Sequence, residues 1–434
     1  MATAPPRAQD ARVQVAYFYK PPLDGTPARV LAHHAQLIIL TQNDEAYAAR
    51  LRRDGYRGAI LQYVNGGEVE GPGPYFRRPR QCDRDYRPYQ YSLADRRGVF
   101  CGEINPHERW FLHGPTGRRI LNTYRSGDGV MRTNYAMNPA APGWRRFAAG
   151  HLSSYRRLGY DGLFLDNIAL GRAGLEHEEH GPKGVREFAS DAAWRRAMAG
   201  FLAAVRRAVG SAPLWANLTH DSGGAHSWRR YLPYLNGLMV EDFLFGWRGY
   251  PLAPAGRESQ WAQIRAALQA GHSVLLVAQG GRWDRARLRL ALAGYWLLAP
   301  PPGKSRLYFR YGDAQDLAYR AWWWYAAYDR SPGRPLGPAR HRGTCWWRPF
   351  AASVIRLQLV PLRTERCSRP PRDSAAGRCR LVALRSRRRI RARPFHPSTR
   401  LAAERPGSTA GSPAPWDPRA EMAKAAGRDA RRRR

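Results

Sequence analysis

The chain has 434 residues, a formal net charge of +37 and a hydrophobic content of 44%. This length suits one large barrel or two to three ordinary domains, and the apolar content is sufficient for a core. The positive charge raises the question of nucleic-acid binding. Only four of the 71 basic residues are lysines, however, a bias typical of a GC-rich coding sequence, and no recognition motif accompanies the charge. Composition therefore disfavours a nucleic-acid-binding protein.

The N-terminal segment gives no sign of export or membrane insertion. Residues 1–20 contain no apolar run long enough for a signal peptide, and no segment reaches the roughly 18 apolar residues of a membrane span. We expect a protein without a membrane span, cytoplasmic by default and extracellular if the true start lies upstream. Residues 1–12 are predicted to be disordered. Cys82 and Cys101 could pair in an oxidising compartment or remain free thiols.

The first part of the chain repeats a strand–helix unit. The predicted strands are 13–19, 36–40 and 59–64, and a helix spans about 44–53. The strands start about 23 residues apart, a natural spacing for βα units of a parallel sheet. Tyr19, at the end of strand one, and Gln62, in strand three, are predicted to contact substrate.

A long insertion, 66–141, interrupts the repeat after strand three. Long βα loops of barrels are commonly functional. The insertion is rich in arginines and aromatic residues, and the run RWFLHGPTGRRIL at 109–121 predicts a hairpin. Exposed aromatic faces suit sugar rings, so Trp110 is a candidate for substrate binding. Packing inside the insertion's own small core is the alternative for each of these aromatics.

The most informative stretch is YDGLFLDN at 160–167, which predicts strand four. It is a glycine-led apolar run that ends abruptly in Asp166 and Asn167. Apolar strands of this kind are usually buried on both faces of a parallel sheet. In a (β/α)8 barrel the strand ends converge on the active-site face. We therefore predict that Asp166 is catalytic and that Asn167 binds substrate.

Two later strands also end in polar residues. Strand five, 213–217, ends in Asn217, a candidate ligand for a substrate hydroxyl. Strand six ends in Glu241 and Asp242, and Trp247 follows as a candidate stacking platform. Two acids at the ends of two barrel strands can act on one substrate, which is the arrangement that glycoside hydrolysis needs.

The remaining elements complete a count of eight strands. Helices are predicted at 191–209 and 259–270, and strand seven ends in Gln279, a candidate for binding a ring hydroxyl. Asp284 is predicted to cap a helix that continues to Leu298. Strand eight is 305–313 and its helix 314–329. The predicted fold class is therefore α/β, a (β/α)8 TIM barrel over 13–330.

The C-terminal segment 331–434 is predicted to be an irregular basic tail. Beyond about residue 350 neither helical nor strand periodicity persists, and the chain ends in four arginines. A disordered tail and a nucleic-acid arm are two interpretations. We favour a third, a shifted reading frame, because WWRPFAASVI at 346–355 begins like a strand whose pattern then stops.

No metal site or cofactor is predicted. His177 and His180 in the loop after strand four stand three residues apart, whereas the HExxH zinc motif requires four. A solvated loop is the default interpretation there.

The runs YDGLFLDN, PLWANLTHD and GLMVEDF resemble strands four, five and six of TIM-barrel glycoside hydrolases. The nearest resemblance is to a bacterial family, hypothetical glycoside hydrolase family fifteen, over roughly residues 13–330. It implies a glycosidase that acts on an oligo- or polysaccharide, with Asp166 in the nucleophile position and Glu241 in the acid/base position. Asp242 is a predicted contact for a ring hydroxyl and remains an alternative acid.

Retaining hydrolysis is the expected mechanism, and the inverting variant stays open because the sequence does not give the carboxylate separation. Two other function classes also stay open. A carbohydrate-binding barrel without catalysis would keep the aromatic residues, and a basic polyanion-binding protein would depend on the charge alone.

Overall fold

The computed structural model describes residues 12–72, 93, 98–125, 131–173, 175, 183–219, 227–246, 250–301, 303, 305–313 and 317–364. The predictions for the first eleven residues, Cys82, the loop with His177 and His180, Trp247 and the tail beyond 364 lie outside the described residues.

The strands of the described chain fall into three sheets. In chain order they are β1 Ala16–Phe18, β2 Leu37–Thr41, β3 Ala59–Asn65, β4 Glu68–Gly71, β5 Leu121–Arg125, β6 Met131–Ala136, β7 Gly162–Ala169, β8 Leu214–Thr219, β9 Gly237–Val240, β10 Ser273–Gln279, β11 Leu307–Gly312, β12 Arg340–Arg342, β13 Cys345–Pro349 and β14 Val354–Gln358.

The central sheet is a closed parallel barrel. Its eight strands follow the order β1-β2-β3-β7-β8-β9-β10-β11, and each neighbouring pair is parallel. The two ends meet because Val15 forms a parallel bridge with Phe309, whose amide donates to the carbonyl of Gln14 at 2.8 Å. The predicted (β/α)8 fold is confirmed.

Helices cover the outside of the barrel. They are α1 Ala28–His34, α2 Glu45–Arg53, α3 Pro142–Leu152, α4 Asp191–Val209, α5 Pro254–Gln269 and α6 Arg285–Leu298. Asp284 caps α6 as predicted, since its side chain accepts from the amide of Arg287 at 2.9 Å. None of the helices in the described part of the chain has the length and hydropathy of a membrane span.

The prediction of a helix at 314–329 is wrong for the described residues 317–329. Leu317–Arg320 forms a short 3-10 helix, and the chain then continues to 329 without a helix. Tertiary hydrogen bonds take the backbone groups that an α-helix would use. The Arg310 guanidinium donates to the carbonyls of Tyr319 and Ala321, and the amide of Trp322 donates to Asp24 at 2.8 Å.

Alternation along the strands divides the core into two layers. One set of side chains fills the barrel, and the other set packs beneath the helices, with Leu163 and Leu165 as examples on β7. The barrel interior contains Ala16, Phe18, Leu37, Ile39, Leu61, Tyr63, Phe164, Trp215, Met239, Leu275, Val277, Tyr308 and Tyr319.

The insertion after β3 forms its own antiparallel sheet, in the order β4-β6-β5. The predicted hairpin turn is present, since the amide of Gly114 donates to the carbonyl of Arg118 at 2.9 Å. Phe100, Phe111 and Tyr135 form a small aromatic core in the insertion. Cys101 takes part in a disulfide bond.

A third sheet corrects the prediction of an irregular tail from 331. Strands β12, β13 and β14 pair in antiparallel fashion over 340–358. The Arg348 guanidinium donates to the carbonyl of Ala299, just after α6, and Trp346 packs against Trp261 of α5. Buried and half-buried residues alternate along β13, but the hydrophobicity of the sequence does not show it, because the charged Arg348 occupies one of the buried positions.

Candidate active site

Polar side chains continue the interior row of the barrel at its carboxyl end. Side chains two residues apart on a strand share a face, so a residue two positions after an interior residue also points inward. Three neighbouring strands have a polar group in this position: Asp166 after Phe164 on β7, Asn217 after Trp215 on β8, and Glu241 after Met239 at the end of β9.

Asn217 joins the two predicted acids. Its side-chain amide nitrogen donates to Asp166 Oδ1 at 2.9 Å and to Glu241 Oε2 at 2.6 Å. Both oxygens bond the same nitrogen, so their separation cannot exceed the sum of these distances, 5.5 Å. The structure therefore brings Asp166 and Glu241 together on one side of the barrel mouth.

A β-bulge at Asp166 and Asn167 changes the direction of the side chains that follow Asp166. Leu165 pairs with Ala216 and Ile168 with Leu218, so Asp166 and Asn167 together stand opposite Asn217. Asn167 adopts a left-handed backbone with φ of 55°, a conformation that asparagine tolerates better than most residues. The bulge lets Asp166 face the interior while Ile168 returns to the outer core.

Two tyrosines support Asp166. The hydroxyl of Tyr63 donates to Asp166 Oδ2, and the ring of half-buried Tyr19 stacks on Tyr63 with centroids 5.2 Å apart. Burial, and then the charge of Asp166, raise the pKa of Tyr63 well above its usual value. The phenol therefore stays protonated and acts as a donor. Tyr19, a predicted substrate contact, lies beside the site.

Glu241 is held by a chain of donors. Gln279 donates from its side-chain nitrogen to the Glu241 carbonyl at 2.7 Å and to the hydroxyl of Tyr319 at 2.8 Å. Tyr319 in turn donates to Glu241 Oε1 at 3.2 Å. Gln279 is 1% exposed, so this residue supports the Glu241 side of the site from within the core.

The pKa of Glu241 is raised well above that of an ordinary glutamate. Burial is the main cause, and the negative charge of Asp166 adds to it, whereas hydrogen bonds from Asn217 and Tyr319 oppose it. A carboxyl group in this environment keeps its proton at a pH where a solvated glutamate would have lost it. Glu241 therefore has the character of a proton donor.

Asp242 has a different environment from its neighbour. Its Oδ1 accepts a hydrogen bond from the side-chain nitrogen of Gln260, on α5, at 3.0 Å. The same Gln260 accepts from the amide of Leu244 at 3.1 Å. Burial raises the pKa of Asp242. Its side chain thus anchors the loop after β9 to a helix. Glu241 is therefore the better candidate for an acid that contacts a substrate in the barrel mouth.

The profile of hypothetical glycosyl hydrolase family 15 matches residues 83–354, more than half of the chain. The chain belongs to this family. The resemblance inferred from the strand motifs is thereby confirmed, and the chain is a glycosidase whose class of substrate is carbohydrate. No curated protein matches the sequence.

Several solved structures are similar to this member of hypothetical glycosyl hydrolase family 15. The glycoside hydrolase domain of PelA from Pseudomonas aeruginosa is 19% identical, with a TM-score of 0.43 over 65% of this chain and 90% of that one. An α-galactosidase from Thermus thermophilus, in complex with p-nitrophenyl α-D-galactopyranoside, is 13% identical, with a TM-score of 0.44 over 79% and 66%. Ega3 from Aspergillus fumigatus, in complex with galactosamine, is 10% identical, with a TM-score of 0.41 over 74% and 98%.

The sequence did not reveal another carboxylate near the site, the buried Glu68. Glu68, on β4, accepts from the side-chain amides of Asn134 at 2.9 Å and of Asn65 and Asn167 at 3.3 Å, all at Oε2. Burial raises its pKa, and the charge of Asp166 contributes. Glu68 therefore links the insertion to the bulged residue beside Asp166.

We expect Glu68→Ala to lower the free energy of unfolding by about 3 kcal/mol or more, because two buried amide donors and one half-buried amide donor lose their acceptor. Glu68→Gln is the matched control, since its carbonyl oxygen can still accept and its loss should be smaller. Urea unfolding of the two variants measures the difference. Equal stability of both variants would contradict this account of the cluster.

Two predicted substrate contacts are not brought to the site. Gln62 lies between the interior residues Leu61 and Tyr63, so it faces the outer layer, and its side-chain nitrogen is 3.4 Å from Gln42 Oε1. Trp110 packs against His107 and against Trp144 and Phe147 of α3, so its ring lies between the insertion and that helix and not in the insertion's own core. Trp247 lies outside the described residues.

The site residues that the sequence did not reveal have little local signal. Tyr63 occupies an interior position two residues before the end of β3, where an apolar strand residue is the ordinary interpretation. Tyr319 falls in a segment that has the composition of a helix. Glu68 belongs to the insertion, and its role depends on Asn134, which is far from it in the sequence.

Proposed function

We propose that this member of hypothetical glycosyl hydrolase family 15 is a retaining glycoside hydrolase in which Asp166 is the nucleophile and Glu241 the acid/base. The shared hydrogen-bond donor Asn217 is the observation that supports this mechanism best. The two carboxyl oxygens that it bonds are no more than 5.5 Å apart, the sum of 2.9 and 2.6 Å. Retaining enzymes have carboxyl groups about 5–5.5 Å apart, and inverting enzymes about 6.5–9.5 Å.

In the first step an oxygen of Asp166 attacks the anomeric carbon and the bond to the leaving oxygen breaks. Glu241 gives its proton to that oxygen, which leaves as an alcohol. In the second step Glu241 takes a proton from water, whose oxygen attacks the anomeric carbon and releases Asp166. The charge of Asp166 disappears in the glycosyl ester, which removes one cause of the high pKa of Glu241 and favours its action as a base.

Nearby groups offer contacts to the sugar. The buried Asn217 Oδ1 has no hydrogen-bond partner among the described residues, so it can accept from a ring hydroxyl. Tyr19 presents a half-buried aromatic ring next to the Asp166 side of the site, where it can stack on a sugar. Asn167 and Trp247 complete the proposed substrate contacts.

A glycan panel tests the proposal. We expect release of reducing sugar from at least one oligo- or polysaccharide, and the first product observed by NMR should have the anomeric configuration of the substrate. A product of inverted configuration would indicate that Asp166 acts as a general base and not as the nucleophile. Polysaccharide binding with no hydrolysis by the intact chain would instead indicate a non-catalytic carbohydrate-binding barrel.

A further inference from the structure

Two aromatic side chains of the described chain are largely exposed to solvent on the active-site face. Tyr250 is 74% exposed and Trp283 is 72% exposed. Tyr250 lies in the loop that follows β9, and Trp283 in the loop that follows β10. Such βα loops surround the mouth of the barrel. Large aromatic groups bury most of their surface on average, so two exposed ones near the mouth of the barrel are candidates for ligand contact.

The Trp283 loop is ordered in a way that keeps the indole outside. The amide of Asp284 donates to the carbonyl of Gly281 at 3.0 Å, and the hydroxyl of Tyr325 donates to the carbonyl of Arg282 at 2.9 Å. The guanidinium carbons of Arg282 and Arg285 lie 5.1 and 5.7 Å from the centre of the indole ring. The indole therefore stands on a hydrogen-bonded backbone, with two guanidinium groups over its ring and most of its surface still exposed.

The two loops are connected to each other and to Glu241. Arg287 pairs with Asp284 at 3.3 Å and lies 5.2 Å from the ring of Phe245, in the loop of Tyr250. Trp283 follows Gln279 by four residues, so their Cα atoms are at most about 15 Å apart. Gln279 itself donates to the backbone carbonyl of Glu241. The exposed aromatics thus belong to the Glu241 side of the mouth.

We propose that Trp283, together with Tyr250, is a distal binding surface for a sugar ring of a polysaccharide chain, on the leaving-group side of the cleaved bond. This inference rests on the proposed function, because Glu241 protonates the leaving group and so fixes which side of the substrate lies towards these loops. The weakly positive C–H groups of a pyranose face match the negative face of an aromatic ring. The N–H groups of Arg282 and Arg285 can donate to hydroxyls of the same sugar.

Native gels that contain dextran, galactomannan, glycol chitosan or polygalacturonate test this surface. The proteins carry Asp166→Asn, so that bound polymer is not consumed. We expect at least one polymer to retard the Asp166→Asn protein, and Trp283→Ala in that background should weaken the binding about tenfold, a loss of one aromatic stacking contact. Tyr250→Ala should weaken it less, because the phenol ring offers a smaller stacking face than the indole.

Leu336→Ala is the matched control, because Leu336 is also exposed but lies beside the sheet of β12, β13 and β14, where its amide donates to the carbonyl of Pro349 at 2.9 Å. It should bind like its parent. Unchanged retardation by Trp283→Ala, or retardation by none of the four polymers, would overturn the inference. Hydrolysis by the Asp166-containing protein on the same polymers separates the two proposals. If the polymer is cleaved but its binding does not depend on Trp283, the distal surface is wrong and the proposed catalysis stands. If binding depends on Trp283 but no polymer is cleaved, the proposed catalysis is wrong.

Discussion

Asp166→Asn should lower kcat by about 10⁴-fold or more while the protein remains folded. Asparagine keeps the size of the side chain and its acceptor oxygen but cannot form the glycosyl ester. The substitution also removes a negative charge that raises the pKa of Glu241, so that pKa should fall. Steady-state hydrolysis of a substrate identified in the glycan panel measures kcat, and thermal unfolding checks the fold.

Asp242→Asn is the control for this substitution. Asn at this position keeps the Oδ1 that accepts from Gln260, so we expect less than about a tenfold change in kcat. Full activity of Asp166→Asn, or an equal loss in Asp242→Asn, would show that the nucleophile has been assigned to the wrong carboxylate.

Glu241→Gln should reduce hydrolysis of substrates with a poor leaving group by about 10²–10⁴-fold, the usual contribution of general acid–base catalysis. An aryl glycoside with an activated leaving group needs little protonation, so its first step should be spared. Added azide should then restore turnover, because azide attacks the glycosyl-enzyme without a general base. Failure of azide to restore any turnover on such a substrate would contradict the acid/base role.

The pH profile gives an independent measure of Glu241. A catalytic acid works in its protonated form, so kcat/KM should fall as the pH rises through the pKa of Glu241. Because that pKa is raised, the fall should come well above the value of about 4.3 for an ordinary glutamate. Tyr319→Phe removes a hydrogen bond that lowers this pKa, so it should move the fall to higher pH, and Glu241→Gln should abolish it.

The sequence was most informative where a strand ends. Asp166, Asn217 and Glu241 could be predicted because each closes an apolar run, and the strand period together with barrel closure then places them on one rim. Gln62 shows the limit of this reasoning, since a shift of one residue sends a side chain to the opposite face. A prediction that applied the alternation to β3 would have chosen Tyr63 instead.

The supporting residues could not be predicted, because their roles arise from contacts between distant segments. Tyr319 reaches Glu241 from a segment that tertiary hydrogen bonds keep out of an α-helix. Glu68 depends on amides from β3, β6 and β7. Neither periodicity nor composition carries information on such pairings.

The sheet of β12, β13 and β14 determines how far the C-terminus can be shortened when the protein is expressed. A stop codon after residue 350, where the strand pattern becomes unrecognisable, would delete β14 and leave β13 with one partner strand. It would also take away the Leu359 carbonyl, to which the buried Arg257 of α5 donates at 2.7 Å. Recombinant protein that retains the codons through 364 keeps this support for the helices that back β10 and β11, and is the sounder starting material for crystals.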